Sequence, residues 1–527
     1  MATGWLATLI VVVFSCCAVE ASYKIGIGIA DVTGPAAEVG FMGYGQMGQK
    51  GKGLHLRQFS RAFIFDDGNN RLVFVSVDAA MVGNGLRREV LARLKPFYGD
   101  LYTEKNVMIS GTHTHSTPGG FMQDLLFDIS VLGFVRQTFV ALMAGIVISI
   151  RRAHETMTRG KVYLSVGTLA GASINRSPTA YLANPTSERA KYGANVDQEM
   201  VQLRLVREDG RPMGAINWFA VHATSMNNSN TLVSSDNVGY AAILFEQKMN
   251  PGQIIGKRVQ SFQGPFIAAF ASSNLGDVSP NVKGPRCEFS GRPCDVETST
   301  CSGKEEMCIS SGPGRNMFDS TQIIGRMIFE KAVAQVRQEI LNVLIRRLCN
   351  VQGVEVQATL DCGEKDEVLM MDFPFEWQPR IVSTQLALMG SLAIACVPGE
   401  FTTMSGRRVR ETVSSTVQRY EGASTIFGPH TLTIYLNQYR KLASALLKNS
   451  QLDPGPTPPD LTDDLVTFVT PVVFDTPKWD HKFGDCLQQP PEVVHTGDTV
   501  SVKFVLLGSG VSHFGLERSH HHVDSRQ

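Results

Sequence analysis

The feature that most constrains this chain is a recurring order: an apolar run of strand length, then at once a cluster of polar and glycine residues. RAFIFDDGNNRLVFVSVD, residues 61–78, alternates apolar positions on both sides of DDGNN, whose residues accept positive φ, and this predicts a hairpin. MVQLRLVREDGRPMGAINWFAVH, residues 200–222, predicts a second hairpin whose outgoing strand delivers His222. NVMIS likewise runs into His113, FIAAFASS into NLGDVSPN, and SLAIACVP into Gly399 and Glu400. Between these runs, residues 85–97, 139–157 and 320–344 repeat apolar residues at three- and four-residue spacing and predict helices. The mixture predicts an α/β (mixed α+β) catalytic domain. In open α/β sheets ligands gather outside the carboxyl ends of strands, so chemistry is expected at the strand exits.

A chain of 527 residues has room for one large domain over 22–450 and a smaller companion. Its 49 basic and 49 acidic residues leave no net field for nucleic acid, and any lipid must be recognised locally. Residues 1–21, MATGWLATLIVVVFSCCAVEA, read as a cleaved signal peptide rather than an anchor, because the apolar stretch falls short of the about 20 residues of a bilayer span. Cys287, Cys294, Cys301 and Cys308 recur every seven residues. In an exported chain this predicts two disulfides of open connectivity; a zinc knot is the competitor, but its paired ligands sit closer together. Asn175 and Asn227 are glycosylation acceptors by pattern, the first followed by Pro178. QLDPGPTPPDL, residues 451–461, cannot continue a helix and predicts a linker. Beyond it, LVTFVTPVVFD and DTVSVKFVLL alternate like strands of a partial β-sandwich (Ig-like) module over 462–527, and SHFGLERSHHHVDSRQ, without a strand pattern, is expected to fray.

His113 and His115 sit two apart at a strand exit, and alternate strand residues point the same way, so both are expected to face one cavity. Such a pair is as often structural as metal-binding. His222 and Glu400 add support, because zinc accepts two or three imidazoles with a carboxylate and keeps one place for water. Read singly, His222 is a strand-end residue and Glu400 a carboxylate at a helix N-terminus. Ser279, in the turn GDVSPN, is a nucleophile, an oxyanion donor or an ordinary turn serine, and the lack of a G-x-S-x-G frame disfavours an α/β-hydrolase triad. Arg176 in NRSP either clamps a carbonyl or oxyanion or pairs with a surface acid.

Taken together, GTHTHSTPGG, INRSPTAYLANP, MNNSNTLVSSDNVGYAA, FASSNLGDVSPNV, the spaced cysteines, DSTQIIGR, VPGEFTTMSGRR and RYEGASTIFGPHTL resemble, in order, the neutral ceramidase family. The resemblance implies a zinc amidase, secreted or held at the outer cell surface, that hydrolyses the N-acyl bond of ceramide to sphingosine and a fatty acid, with peripheral membrane contact. It implies His113, His222 and Glu400 as zinc ligands, Ser279 as the essential serine, and His115, Arg176 and Tyr420 as polar residues lining the site. Either the serine or a zinc-held hydroxide attacks; Arg176 or Tyr420 steadies the oxyanion, and His115 delivers a proton to the departing amine. The likeness breaks where only VRETVSSTVQ separates Arg408 from Arg419, since the family carries a further strand-bearing segment and a ligand tyrosine there. It also breaks before DCGEKDEVLM, where a glycine- and aromatic-rich stretch is missing. A catalytically impaired lipid-binding relative, or an amidase of another N-acyl lipid, is the competing expectation.

Overall fold

The computed structural model describes residues 23–252, 266–337, 343–344, 352–359, 377–379, 381–389, 392–415, 431–448, 450–468, 486–488, 501–505 and 511–515. The expected leader, Tyr420 and the histidines at 520–522 lie outside the described residues.

Eight strands form one mixed sheet: β1 (Tyr23–Asp31), β2 (Phe59–Asp66), β3 (Arg71–Val77), β4 (Val107–Gly111), β5 (Thr158–Thr168), β6 (Glu199–Arg207), β7 (Pro212–Phe219) and β8 (Ile267–Ser272). Their order is β8-β7-β6-β5-β1-β2-β3-β4, and Val343–Leu344 adds a short strand against β5. Both expected hairpins are present, with Phe63 opposite Phe74 and Leu203 opposite Ile216. The two outermost pairs, β3–β4 and β7–β8, are parallel and therefore need crossovers. Helix α1 (Asn84–Tyr98) lies in the first crossover, α2 (Arg136–Glu155) follows β4, and α3 (Asp236–Met249) lies in the second. Helix α4 (Met317–Arg337) ends its described length sooner than the periodicity over 320–344 predicts. Val343–Leu344 pairs with Leu164 and Tyr163 instead, because a short apolar run suits a strand once a partner edge is available.

Period two in the strands divides the core cleanly. Ile64, Val73 and Val75 pack under α1 and α2, while Ala268 and Phe270 pack under α3 and α4. On the opposite face Ile25, Ile27, Phe63, Phe65, Phe74 and Ile216 meet a second, three-stranded antiparallel sheet, β9 (Gln352–Thr359), β10 (Ile381–Met389) and β11 (Leu392–Cys396), through Ala387, Met389 and Ile394. The outer face of that sheet, through Val382 and Leu386, carries α5 (Thr403–Ser415) and α6 (Thr431–Lys448). The result is a helix–sheet–sheet–helix sandwich. Among the described residues no helix is long and apolar enough to cross a membrane.

Close seating of α2 on β1 depends on Gly26 and Gly28. A Cβ at either position would stand 2.0 Å from a helix carbonyl oxygen, that of Ala153 or Ser149. Gly28→Ala is therefore expected to lower stability by about 3 kcal/mol, at the upper end of overpacking costs, read as a shift in the urea midpoint with unchanged slope.

The Pro-rich segment after α6 has no regular secondary structure but runs along the body. Asp460 pairs with Arg88 at 2.6 Å, and the Phe134 N–H donates to the Val466 carbonyl at 2.9 Å. Toward the C-terminus, Cys486–Gln488, Ser501–Val505 and Val511–Gly515 make a small antiparallel sheet. The last of these corrects the expectation of a frayed tail from residue 512: pairing with Ser501–Val505 supplies the strand that the local pattern of SHFG does not announce.

Candidate active site

The edge strands β4 and β8 run in opposite senses by connectivity. The sheet curls enough to bring them into contact. Their carboxyl ends meet, and Ser272 Oγ donates to the Gly111 carbonyl at 3.4 Å. The turns leaving β4, β7, β8 and β11 thus share one place.

From β4, the chain leaves the sheet at Gly111, and His113 adopts φ +66°. This corrects the strand-alternation expectation for His113 and His115: a left-handed turn brings the pair to one site. Non-glycine residues hold such a conformation only when surrounding contacts over-determine it. Here the His113 N–H donates to the Ala79 carbonyl at 2.9 Å and Nδ1 to that of Ala80 at 2.6 Å, both just past β3. His115 Nε2 lies 3.0 Å from His113 Nε2. From β7 comes His222, fully buried, whose Nδ1 donates to the Val278 carbonyl at 2.8 Å. From β11 comes Glu400, with Oε1 3.0 Å from His113 Nε2 and Oε2 3.2 Å from His222 Nε2.

These contacts decide what the cluster can hold. A carbonyl only accepts, so the protons of His113 and His222 sit on Nδ1, and both Nε2 lone pairs face a carboxylate. Lone pair against lone pair is repulsive unless a cation or extra protons intervene. Burial opposes extra protons: it lowers the His222 pKa, and burial with the neighbouring His113 and His222 puts His115 well below the ordinary imidazole range. The three imidazoles offer nitrogens within 4.8 Å of one another. Separations of 3.0–3.2 Å match ligand atoms around one tetrahedral ion with bonds of about 2.0–2.1 Å. The residues fit a zinc ion.

Ser279 is buried and follows the residue whose carbonyl holds His222; its Oγ accepts from the Asn281 N–H at 3.2 Å. The pair Val278–Ser279 is bridged to Ile174–Asn175, which brings in Arg176. Arg176 donates to the Gly276 carbonyl at 2.9 Å and stands 3.9 Å from Glu400 Oε2, with its side chain about half exposed at 47%. Asp277 ties these segments together: it accepts from the Thr403 N–H and hydroxyl, both at 2.7 Å, and from Asn175 Nδ2 at 2.8 Å. Gly276 is required for the approach, since a Cβ there would lie 2.3 Å from the Glu400 carbonyl oxygen. Sequence reasoning gave Asp277 no role of its own and passed over Tyr44, whose ring meets His115 edge-on at 4.7 Å; the glycines around Tyr44 in FMGYGQMG were the available signal.

Just beyond Ser279, Cys287 bonds Cys301 and Cys294 bonds Cys308, so the expected disulfides interlock across a hairpin of Pro285–Cys287 and Cys308–Ser310. Asn227 is exposed, whereas Asn175 is buried, with its amide donating to Asp277 and to the Asn195 carbonyl.

A mixed α/β body with imidazoles and a carboxylate converging at its strand exits defines a metal-capable hydrolase. Comparison with known proteins gives the family. The model for the N-terminal part of neutral/alkaline non-lysosomal ceramidases matches residues 23–352 and 342–417, and that for the C-terminal part matches 439–526. The neutral ceramidase of Drosophila melanogaster is 40% identical over 96% of this chain and 86% of its own length. Neutral ceramidase B of Dictyostelium discoideum is 37% identical over 96% and 83%. A solved ceramidase complexed with C2 superposes with a TM-score of 0.74 at 30% identity, covering 92% of this chain and 84% of that one. The crystal structure of the neutral ceramidase from Pseudomonas aeruginosa gives 0.73 at 31%, with the same coverage. The chain belongs to the neutral/alkaline non-lysosomal ceramidase family, whose members hydrolyse ceramide at its amide bond. The alignment with the Drosophila melanogaster protein spans 612 positions, more than the 527 residues present, so that relative carries internal positions without counterpart here.

Proposed function

We propose that this protein is an exported, zinc-dependent amidase that hydrolyses ceramide to sphingosine and a free fatty acid. The observation that carries this reading is the meeting of His113 Nε2 and His222 Nε2 with the two Glu400 oxygens at 3.0 and 3.2 Å, both Nδ1 atoms being committed to carbonyls. His113, His222 and Glu400 would hold the ion. When bound, zinc supplies Lewis acidity that polarises an amide carbonyl and brings the pKa of water to about 7.

The remaining work falls to the chain. Hydrolysis breaks the amide C–N bond, adds the oxygen of water to the acyl carbon and sends a proton to the departing nitrogen. His115, kept neutral by burial, relays that proton. Arg176 places a fixed positive charge beside the carbonyl oxygen as it becomes negative, and Tyr420, carried by the family likeness, is retained as a second donor. Ser279 acts as nucleophile or as a donor to the reacting group. The apolar leader at 1–21, the two disulfides and the exposed Asn227 support export. The internal positions without counterpart favour a second reading, a lipid-binding relative with impaired catalysis.

Zinc stoichiometry and fatty-acid release from a short-chain ceramide test the proposal on the full chain. Turnover is expected to stop on chelation and return with zinc, and Ser279→Ala to lower it by at least about 100-fold. Zinc bound without release supports the impaired reading; release only from other N-acyl lipids reassigns the substrate; no zinc binding overturns the proposed centre.

A further inference from the structure

We propose that Tyr44, backed by Gly43, is the positioning residue for His115, doing by packing what a hydrogen bond does for His113 and His222. The proposal rests on reading the three imidazoles as one centre. His113 and His222 each donate Nδ1–H to a carbonyl, at 2.6 and 2.8 Å, and such a partner sets both ring plane and protonated nitrogen. His115 has no such device. Among the described residues its Nδ1 is buried without a partner, and its one ring hydrogen-bond contact is Nε2 to His113 Nε2 at 3.0 Å. A single contact at one corner leaves a ring free to pivot.

Residues 43 and 44 supply the restraint. Gly43, at φ +124°, lies so close that a Cβ there would stand 2.4 Å from His115 Cγ and 2.6 Å from Cδ2, so bare backbone walls one side of the ring. Tyr44 meets the ring at 4.7 Å and 82°, the edge-to-face arrangement that aromatic quadrupoles favour. Its hydroxyl donates to the Met226 carbonyl at 2.8 Å, in the loop that continues from His222. One phenol thus couples the turn after β4 to the turn after β7, which together present all three imidazoles.

Three variants test this. Tyr44→Phe keeps the aromatic edge and loses the anchor, Tyr44→Ala loses both, and Tyr44→Leu keeps bulk alone and serves if the alanine variant does not fold. The readouts are kcat and KM for a short-chain ceramide, zinc affinity by chelator competition, and the rate at which diethyl pyrocarbonate modifies His115 in metal-free protein, followed by peptide mass spectrometry. Tyr44→Ala, or Tyr44→Leu in its place, is expected to lower kcat about 100-fold, the scale of a 1 Å misplacement. KM and zinc affinity should stay within about threefold, as for a group acting on the reacting geometry rather than on binding. His115 should lose its protection from modification in the same variant, and Tyr44→Phe should recover protection and most of kcat. Unchanged kcat and protection in Tyr44→Ala, or a phenylalanine variant no better than alanine, overturns the assignment. If the wild-type chain releases no fatty acid, the functional reading fails, while protection of His115 still judges the clamp.

Discussion

Replacing His222 with alanine is expected to abolish specific zinc binding while the chain still folds. The imidazole is fully buried and joins the Val278 carbonyl to Glu400 Oε2 at 2.8 and 3.2 Å, so on the proposed reading its loss removes one ligand and unseats the carboxylate that the same ion would share. Loss of an outer partner of a metal ligand typically costs 10–100-fold in affinity, and loss of the ligand itself should exceed about 100-fold. The Val278 carbonyl keeps the backbone N–H of residue 222 at 3.2 Å, so the variant loses one of two hydrogen bonds there, about 0.5–1.5 kcal/mol, which a large folded body tolerates. The measurement is a denaturant melt with and without zinc: at a hundred times Kd the ion should stabilise the wild type by about 2.7 kcal/mol and the variant by nothing measurable. An equal gain in both proteins removes His222 from the centre.

Arg61→Met is expected to be the most destabilising single change outside the site. Arg61 is 2% exposed and lies between Asp78, at 3.0 Å, and Glu246, at 2.8 Å, which are 1% and 0% exposed. Breaking a buried ion pair by removing one partner costs about 3–5 kcal/mol, and here two carboxylates are stranded. Asp78 also accepts from the Phe59 N–H at 2.9 Å, and Glu246 from the Ala268 N–H at 3.2 Å, so the triad joins β2 and the exit of β3 to α3 and β8. Burial raises both carboxyl pKa values even with Arg61 opposing it. A carboxyl raised in the folded state contributes stability that is complete below its unfolded pKa of about 4 and fades as pH climbs through the folded value. Without the guanidinium the rise grows, so the deficit of Arg61→Met should widen as pH increases from about 4 toward 7. Urea melts at several pH values check this. A deficit below about 1 kcal/mol at pH 7, the scale of an exposed pair, would mean that water reaches the triad.

The chemistry of the site was legible one residue at a time. His113, His222 and Glu400 each follow an apolar run, and a run that ends in an imidazole or carboxylate at a strand exit identifies the residue without placing it. Their convergence was legible through the family resemblance and not in the local pattern, because it depends on the sheet order and on the meeting of the edge strands β4 and β8. The His113 turn shows the same limit: nothing in GTHTHS requires φ +66°, which is imposed by the carbonyls of Ala79 and Ala80 from another strand. Asp277 reads as a turn residue beside Ser279 until Thr403 and Asn175 are seen to donate to it. The final strand, Val511–Gly515, was missed for a related reason, since its pairing partner and not its own pattern makes it a strand.

By itself, the sequence determined the elements and the family: period-two runs and turn residues set both hairpins, three- and four-residue spacing set the helices, and ordered motifs specified ceramidase kinship. These properties depend on near neighbours, whose sterics and hydrogen bonding are encoded within a few positions. The tertiary structure alone decided which polar groups share a site, which nitrogen of each imidazole is free, and that Tyr44 stands against His115. Those outcomes depend on contacts between residues from 33 to 178 positions apart, where burial, desolvation and backbone carbonyls from other strands set the chemistry.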